Sequence, residues 1–161
     1  MKKIVFVLLF ASGIFISQAF AQTQLKNFDD LVHALNTGKT VRAVIHYGDC
    51  MLIDDNQIQE SSPDAVGGTN FDVYEYFARQ SVRNEKAFVV SSAAKLIQNP
   101  IGEGFVYNYG KIRADEDGKV KITVNYLKPT DYSVLMDENF FTEINDGKNK
   151  GAAYFYIKPC K

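Results

Sequence analysis

The alternation of apolar and polar residues on either side of Asp117-Gly118 constrains the fold more than any other feature of this chain. An Asp-Gly pair between two alternating runs is among the strongest short signals for a tight β-hairpin. On its C-terminal side the apolar residues of one face are Val120, Ile122, Val124 and Tyr126. Residues 105–113 alternate before the turn, so the middle of the chain is predicted to be antiparallel β-structure.

Further strands are predicted on both sides of this hairpin from the same period of two. They lie at residues 41–47, 71–77, 87–92, 132–136 and 153–157, with shorter extended pieces at 50–53 and 140–144. Because helices do not alternate with strands, a parallel sheet is disfavoured. We expect an α+β chain that is mostly antiparallel, with seven or eight strands in one curved sheet or lipocalin-like barrel.

One amphipathic helix is predicted in front of the strands, over residues 27–37. Asn27 is a suitable N-cap, and Asp29 and Asp30 place negative charge in the first turn. Gly38 stands where a left-handed C-terminal cap is needed. The apolar stripe consists of Phe28, Leu31, Val32 and Leu35. This helix is expected to plug or cover one side of the sheet.

The longest loop-like segment of the sequence is 54–70. It contains Ser61-Ser62-Pro63 and Gly67-Gly68, and loops of this length in compact domains are often functional. Its first residues, 54–56, are Asp-Asp-Asn and resemble the opening of a calcium loop. The glycine and the closing glutamate of such a loop are missing, so no metal site is predicted.

The first 21 residues have the pattern of an export signal. Two lysines precede an apolar run from Ile4 to Ile16, and Ala19-Phe20-Ala21 offers small residues to a signal peptidase. The run is short for a membrane span. We therefore expect a cleaved leader at 1–21, one domain at 22–161, no stable membrane anchor after cleavage, and a periplasmic or secreted location.

Charge and aromatic content narrow the expected partners. Loss of the two leader lysines changes the net charge from −1 to −3, and a chain without a basic cluster is not expected to bind nucleic acid or a membrane surface. The chain has nine tyrosines and twelve phenylalanines but no tryptophan. Such residues build sheet faces, and the alternative is an aromatic-lined ligand cavity.

The two cysteines, Cys50 and Cys160, are predicted to form a disulfide. An even number of cysteines in an exported protein favours pairing. This bond would tie the C-terminus to the early part of the fold, and it requires the two α-carbons to approach within about 7 Å.

His46, Asp49 and Cys50 form the one cluster that invites a catalytic interpretation. A cysteine nucleophile needs an oriented base and a lowered thiol pKa, and a disulfide would remove the thiolate. The other histidine, His33, is placed on the predicted helix. No phosphate-binding loop, zinc spacing or Gly-x-Ser-x-Gly elbow is present. Neither a cofactor nor an enzymatic activity is predicted.

Several segments resemble the VirK family of small exported bacterial proteins. The opening block of the family is similar to residues 38–50, GKTVRAVIHYGDC, and a later block is similar to residues 115–137. The predicted helix, Gly67-Gly68 and residues 71–77 also fit. The resemblance implies one VirK-like domain and an association with virulence regions in some bacteria. It implies no defined activity and no catalytic residues.

The leading hypothesis is an exported, non-enzymatic domain that binds a small apolar ligand, an envelope component or a partner protein. Since residues at i and i+2 of a strand share a face, the predicted ligand-binding residues are Tyr74, Tyr76, Tyr107 and Tyr109, together with His46. One alternative is an enzyme that uses His46 and Asp49 in a barrel mouth. Another is a structural or inhibitory protein that acts through the 54–70 loop.

Overall fold

The structure is a computed structural model that describes residues 22–54 and 57–159. The predicted leader and Cys160 lie outside the described residues. One α-helix, α1 (Phe28–Asn36), precedes most of the strands, and a 3-10 turn spans Tyr47–Asp49. The strands are β1 (Thr23–Leu25), β2 (Val41–His46), β3 (Met51–Asp54), β4 (Gln57–Ile58), β5 (Val66–Asn70), β6 (Tyr74–Phe77), β7 (Phe88–Gln98), β8 (Phe105–Asp115), β9 (Lys119–Leu127), β10 (Val134–Glu143) and β11 (Ala153–Ile157).

These strands form two antiparallel sheets. The smaller has the order β1-β11-β2-β5 and the larger has the order β4-β3-β10-β9-β8-β7-β6. The α+β, mostly antiparallel prediction is confirmed, but the lipocalin-like barrel is wrong: the described strands form two open sheets. The turn Tyr47–Asp49 connects β2 of the smaller sheet to β3 of the larger sheet. The sequence pattern instead predicts that these two strands belong to one curved sheet.

The central hairpin is confirmed by the register of β8 and β9. Ala114 pairs with Val120 and Ile112 with Ile122, and all four of these residues are buried. Gly118 has φ 82°, a conformation that glycine adopts without a steric cost. The Asp-Gly pair therefore closes the turn as predicted.

The predicted helix is also confirmed. The side chain of Asn27 accepts a hydrogen bond from the Asp30 amide at 2.8 Å, which satisfies one of the unpaired N–H groups of the first turn. Gly38 follows the helix with φ 74°. Phe28, Leu31 and Leu35 are buried, so the helix contributes its apolar stripe to the core. No helix in the part of the chain that the structure describes is long and apolar enough to cross a membrane.

One hydrophobic core lies between the inner faces of the two sheets and the helix. Ala43, Ile45 and Phe155 come from the smaller sheet, and Ile122 and Phe140 come from the larger. The ring centroids of Phe71 and Phe155 are 5.7 Å apart with an edge contact, and those of Tyr47 and Phe140 are 4.7 Å apart. Aromatic contacts of this kind add to the stability that burial provides.

The predicted 54–70 loop is partly wrong, because its last five residues are strand β5. This strand pairs with β2, with Gly67 opposite Ile45 and Gly68 opposite Val44. A Cβ atom at Gly67 would lie 2.7 Å from Cε2 of Tyr47. Glycine weakens a strand in general, but here the absence of a side chain leaves room for the tyrosine ring. The need for glycine at this position cannot be predicted from the neighbouring residues alone.

Other element boundaries also differ from the prediction. The segment 71–77 is a strand only from Tyr74, since Phe71 turns into the core. The separate pieces predicted at 132–136 and 140–144 are one strand, β10, with a register irregularity between Val134 and Met136. The short strands β1 and β4 were not predicted because neither has enough residues to show a period of two.

Candidate functional site

The larger sheet has a core-facing side, called the inner face, and an opposite side, called the outer face. Ile112 and Ala114 of β8 are buried against the core and define the inner face. Residues of odd number on β8, such as Tyr107 and Tyr109, point the other way because side chains alternate along a strand. Residues directly opposite each other in the register share a face, so the register identifies the outer-face residues of every strand in the sheet.

The register places the predicted tyrosine pairs on opposite faces. Tyr74 pairs with Ser91, which pairs with the buried Ile112, so Tyr74 and Tyr76 belong to the inner face. Tyr107 and Tyr109 belong to the outer face. Each pair shares a face as expected, but the two pairs do not line one cavity.

Tyr74 of the inner-face pair contacts the helix. The hydroxyl of Tyr74 donates a hydrogen bond to the carbonyl oxygen of Leu35 at 2.9 Å. This contact joins β6 to the last turn of α1, where the Leu35 carbonyl oxygen also accepts a hydrogen bond from the Gly38 amide at 2.9 Å. The position of Tyr74 is therefore explained by its contact with the helix, and it requires no ligand.

Tyr107 of the outer-face pair belongs to an apolar row that crosses four strands. Leu96 pairs with Tyr107, Tyr107 with Leu127, and Leu127 with Val134. We call these four residues the apolar row. Leu96 is 54% exposed and Val134 is 58% exposed. The Tyr132 ring stacks on Tyr107 with centroids 5.8 Å apart, which widens the apolar surface at this end of the sheet.

Phe105 adds to the same surface, with 63% of its area exposed. Large apolar side chains that lie together on a surface, in contrast to single ones, commonly indicate an interaction site. The sequence contained a signal for this row, since Leu96, Tyr107, Leu127 and Val134 all stand near predicted hairpin ends. The interpretation missed it because the register that aligns them is set by the whole sheet.

The four strands of the row extend beyond their neighbours on both sides. Strand β6 pairs only with Phe88–Ser91 of β7, and β3 pairs only with Asn139–Phe141 of β10. Within the described residues, 92–98 and 134–138 therefore have a strand partner on one side only. An unpaired edge presents backbone N–H and C=O groups to which another strand can bind.

His46 lies in the smaller sheet, away from all four predicted tyrosines. It follows the buried Ile45 and points to the outside of that sheet. Its ring is 5.1 Å from the ring of Tyr154, which stacks in turn on Tyr156 with centroids 6.4 Å apart. These two tyrosines occur at i and i+2 in the last predicted strand, so the same rule could have found them.

Asp49 and Cys50 do not form a catalytic arrangement with His46. Among the described residues, no hydrogen bond or ion pair joins the side chains of His46 and Asp49. The Cys50 thiol donates a hydrogen bond to the His46 carbonyl oxygen at 3.3 Å. Burial raises the pKa of this thiol to about 11. A thiol that is protonated at neutral pH is a poor nucleophile. The enzyme that uses His46 and Asp49 stays an alternative prediction.

The predicted disulfide involves Cys160, which is outside the described residues, so the pairing stays a prediction. The Lys158 amide donates a hydrogen bond to the Thr40 carbonyl oxygen, just before β2 begins. The Cys50 thiol donates one to the carbonyl oxygen of His46, at the other end of that strand.

Two carboxylates approach each other on the inner face of the larger sheet. Burial raises the pKa of Glu138, and the negative charge of Asp54 raises it further. In the described ranges 22–54 and 57–159, no group of three or more histidine, cysteine or acidic side chains could hold a metal ion. Residues 55 and 56 of the calcium-like stretch lie outside those ranges.

Comparison with known proteins identifies related sequences and folds. A family model described as "VirK protein" matches residues 24–132 of the chain. A crystal structure of a VirK family protein from Legionella pneumophila has a TM-score of 0.62 and 17% sequence identity, and the match covers 82% of this chain and 97% of that one. At this identity the likeness shows a shared fold. No curated protein matches the chain.

Proposed function

The chain belongs to the VirK family, and we propose that it is an exported, non-enzymatic domain that binds a partner protein through the apolar row. A role in virulence is part of this proposal, as family membership suggests. The observation that supports it most is the apolar row itself, whose four residues are in direct register across four strands. Leu96 and Val134 are exposed, and the two residues between them are half-buried.

A protein partner suits this surface better than a small apolar ligand. Small ligands are held in concave sites that enclose most of their surface. The apolar row lies on an open sheet face, and the predicted tyrosines do not surround a common cavity. The space between the two sheets is occupied by side chains such as Phe140 and Phe155, which are almost fully buried.

The unpaired edge of β7 indicates the kind of partner. Leu96 stands on this edge at one end of the apolar row, and its neighbour Lys95 points to the inner face. A strand added beside β7 would present residues to both faces in alternation. Lys95 would repel a second copy of itself, which is a common protection of edges against self-pairing. The partner strand therefore carries an apolar residue opposite Leu96 and an acidic residue opposite Lys95.

A peptide experiment tests this proposal. An eight-residue peptide of alternating valine and glutamate has the required pattern, and one of alternating valine and lysine has the opposite charge. We expect the acidic peptide to protect the amides of residues 92–98 from hydrogen exchange and the basic peptide to leave them unprotected. Equal protection by both peptides, or none by either, would contradict the proposal.

The variant Leu96→Asp removes the apolar contact at the edge and should abolish the protection. Ile101→Asp is the matched control, because Ile101 is also apolar and exposed but lies in the connection between β7 and β8. Thermal unfolding of both variants verifies that they fold. If Ile101→Asp weakens peptide binding as much as Leu96→Asp does, the apolar row is not the binding surface.

A further inference from the structure

A second feature of the outer face lies at the opposite end from the apolar row. An open groove of about 580 Å³ crosses β8, β9 and β10 there. Its walls include Arg113, Lys121 and Phe141. Arg113 is six residues beyond Tyr107 on the same strand, which corresponds to about 20 Å. The groove is therefore separate from the apolar row.

Two like charges face each other across the groove. Arg113 and Lys121 are directly opposite in the register of β8 and β9, an arrangement that destabilises a sheet. Lys119 also lines the groove, on the same side of β9 as Lys121. A local conflict of this kind in an otherwise consistent fold is expected at functional sites.

Asp115 and Glu143 also line the groove, and the carboxylates in and beside it leave one of these three cations unneutralised. The Asp115 carboxylate accepts a hydrogen bond from the Arg113 guanidinium at 2.8 Å, and this guanidinium also lies 3.9 Å from the centre of the Phe88 ring. Lys119 is 3.8 Å from Asp117 and opposite Glu143 in the register. Within the described part of the chain, Lys121 has no carboxylate within 4 Å. Its ammonium group is available to an external anion.

An apolar surface adjoins this free ammonium group. The Lys121 nitrogen is 5.4 Å from the centre of the Phe141 ring, and Phe141 pairs with Met51, which is 43% exposed. The groove thus places the Lys121 ammonium group next to an apolar wall formed by Phe141 and Met51. A bare inorganic anion would use only the first of these, and a neutral hydrocarbon only the second.

We propose that this groove binds a small amphiphilic anion, that is, a phosphate or carboxylate group carried on a short hydrocarbon body. The Lys121 ammonium group contacts the anionic group, since it is a donor suited to phosphate and carboxylate oxygens, while Arg113 stays paired with Asp115 beside it. Phe141 and Met51 contact the hydrocarbon. The proposal does not depend on the partner protein proposed above, because it uses no residue of the apolar row.

Titration calorimetry on the full mature chain tests the proposal, with octyl phosphate below its micellar concentration as the probe. We expect octyl phosphate to bind more tightly than either inorganic phosphate or octanol. Lys121→Gln should weaken binding of octyl phosphate about tenfold, the effect of losing one charged hydrogen bond. Phe141→Ala should weaken binding of octyl phosphate and leave that of inorganic phosphate unchanged.

Lys111→Gln is the matched control. Lys111 is exposed on the same face and pairs with Thr123, one row away from the groove. This variant removes the same charge and should keep the affinity of the unmodified chain. An equal loss in Lys111→Gln and Lys121→Gln would show a general charge effect and would overturn the proposal.

Phosphatidylglycerol vesicles distinguish a free amphiphile from a membrane surface. Binding of monomeric octyl phosphate that Lys121→Gln weakens supports the groove, whether or not vesicles also bind. Binding to vesicles without any binding of monomeric octyl phosphate would overturn it, because a surface would then suffice without a groove. Leu96→Asp should not change either result, which separates this test from that of the apolar row.

Discussion

The ring of Tyr47 occupies the position that a side chain at Gly67 would need. A Cβ atom at Gly67 would lie 2.7 Å from Cε2 and 2.9 Å from the hydroxyl oxygen of Tyr47. The same ring packs on Phe140 with a centroid distance of 4.7 Å. Tyr47 therefore joins the edge strand β5 of the smaller sheet to the centre of the larger sheet, and glycine at position 67 makes this contact possible.

This contact predicts a specific effect of adding one methyl group. Gly67→Ala should lower the free energy of unfolding by about 1–3 kcal/mol, the range for overpacking a filled site. The matched control is Gly110→Ala, in the middle of β8, where a Cβ atom would have nothing within 4 Å. Because alanine is preferred to glycine in a strand, this control should be neutral or slightly stabilising. Urea unfolding of the two variants measures the difference, and similar losses in both would contradict the explanation.

Local signals in the sequence predict the helix but not the contact between Tyr47 and Gly67. The helix could be predicted, because Asn27, Asp30 and Gly38 act within a few residues of one another. Strand β5 could not, since Gly67 is explained by Tyr47, which is twenty positions away and belongs to a turn between the two sheets. The division into two sheets depends on that same three-residue turn.

The candidate site shows the same distinction between local and long-range information. That Tyr107 and Tyr109 share a face follows from the alternation within one strand. Whether Tyr74 is on that face depends on the register of β6 with β7 and of β7 with β8. The apolar row likewise depends on three registers, so neither arrangement could be derived from a single segment.

The two tyrosines of β6 allow a second prediction. Tyr74 donates a hydrogen bond to Leu35 of the helix, whereas no hydrogen bond of the Tyr76 hydroxyl is found within the described residues. Tyr74→Phe should therefore cost about 0.5–1.5 kcal/mol of stability, and Tyr76→Phe, on the same strand and face, should cost less. Thermal or urea unfolding gives the comparison. A larger loss for Tyr76→Phe would show that the contact between β6 and the helix contributes little.

Tyr47 also predicts how stability depends on alkaline pH. Burial, followed by the negative charges of Cys50, Tyr126 and Glu138, raises the pKa of Tyr47 from 10.0 to about 12. Because the folded-state pKa is the higher one, the unfolded chain loses this proton first as the pH rises. The contribution of Tyr47 is complete below pH 10 and is lost between about pH 10 and 12.

The variant Tyr47→Phe isolates this effect, since it keeps the ring and removes the titrating hydroxyl. Urea unfolding at pH 7, 10 and 11 measures how much stability each protein loses as the pH rises. This loss should be smaller in Tyr47→Phe than in the unmodified chain. Tyr132→Phe is the control, because Tyr132 is 65% exposed and its phenol is not protected by the core. The same pH dependence in all three proteins would contradict the assignment to Tyr47.

The last prediction concerns the state of Cys50. Its thiol donates to the carbonyl oxygen of His46 and its pKa is raised to about 11 by burial. A buried, protonated thiol reacts slowly, so we expect Cys50 to be shielded from thiol reagents in the folded chain. The mass of the monomer under non-reducing conditions tests the predicted disulfide, because pairing with Cys160 removes two hydrogens.

Thiol titration at pH 8 provides an independent measurement on the same sample. Cys50 should react with a disulfide reagent only when urea unfolds the chain, because a buried thiol with a raised pKa is protonated and shielded. In the variant Cys160→Ser, which leaves Cys50 as the remaining thiol, no reaction is expected before unfolding. A reaction of Cys50 in this variant before unfolding would contradict the assignment of a buried, protonated thiol.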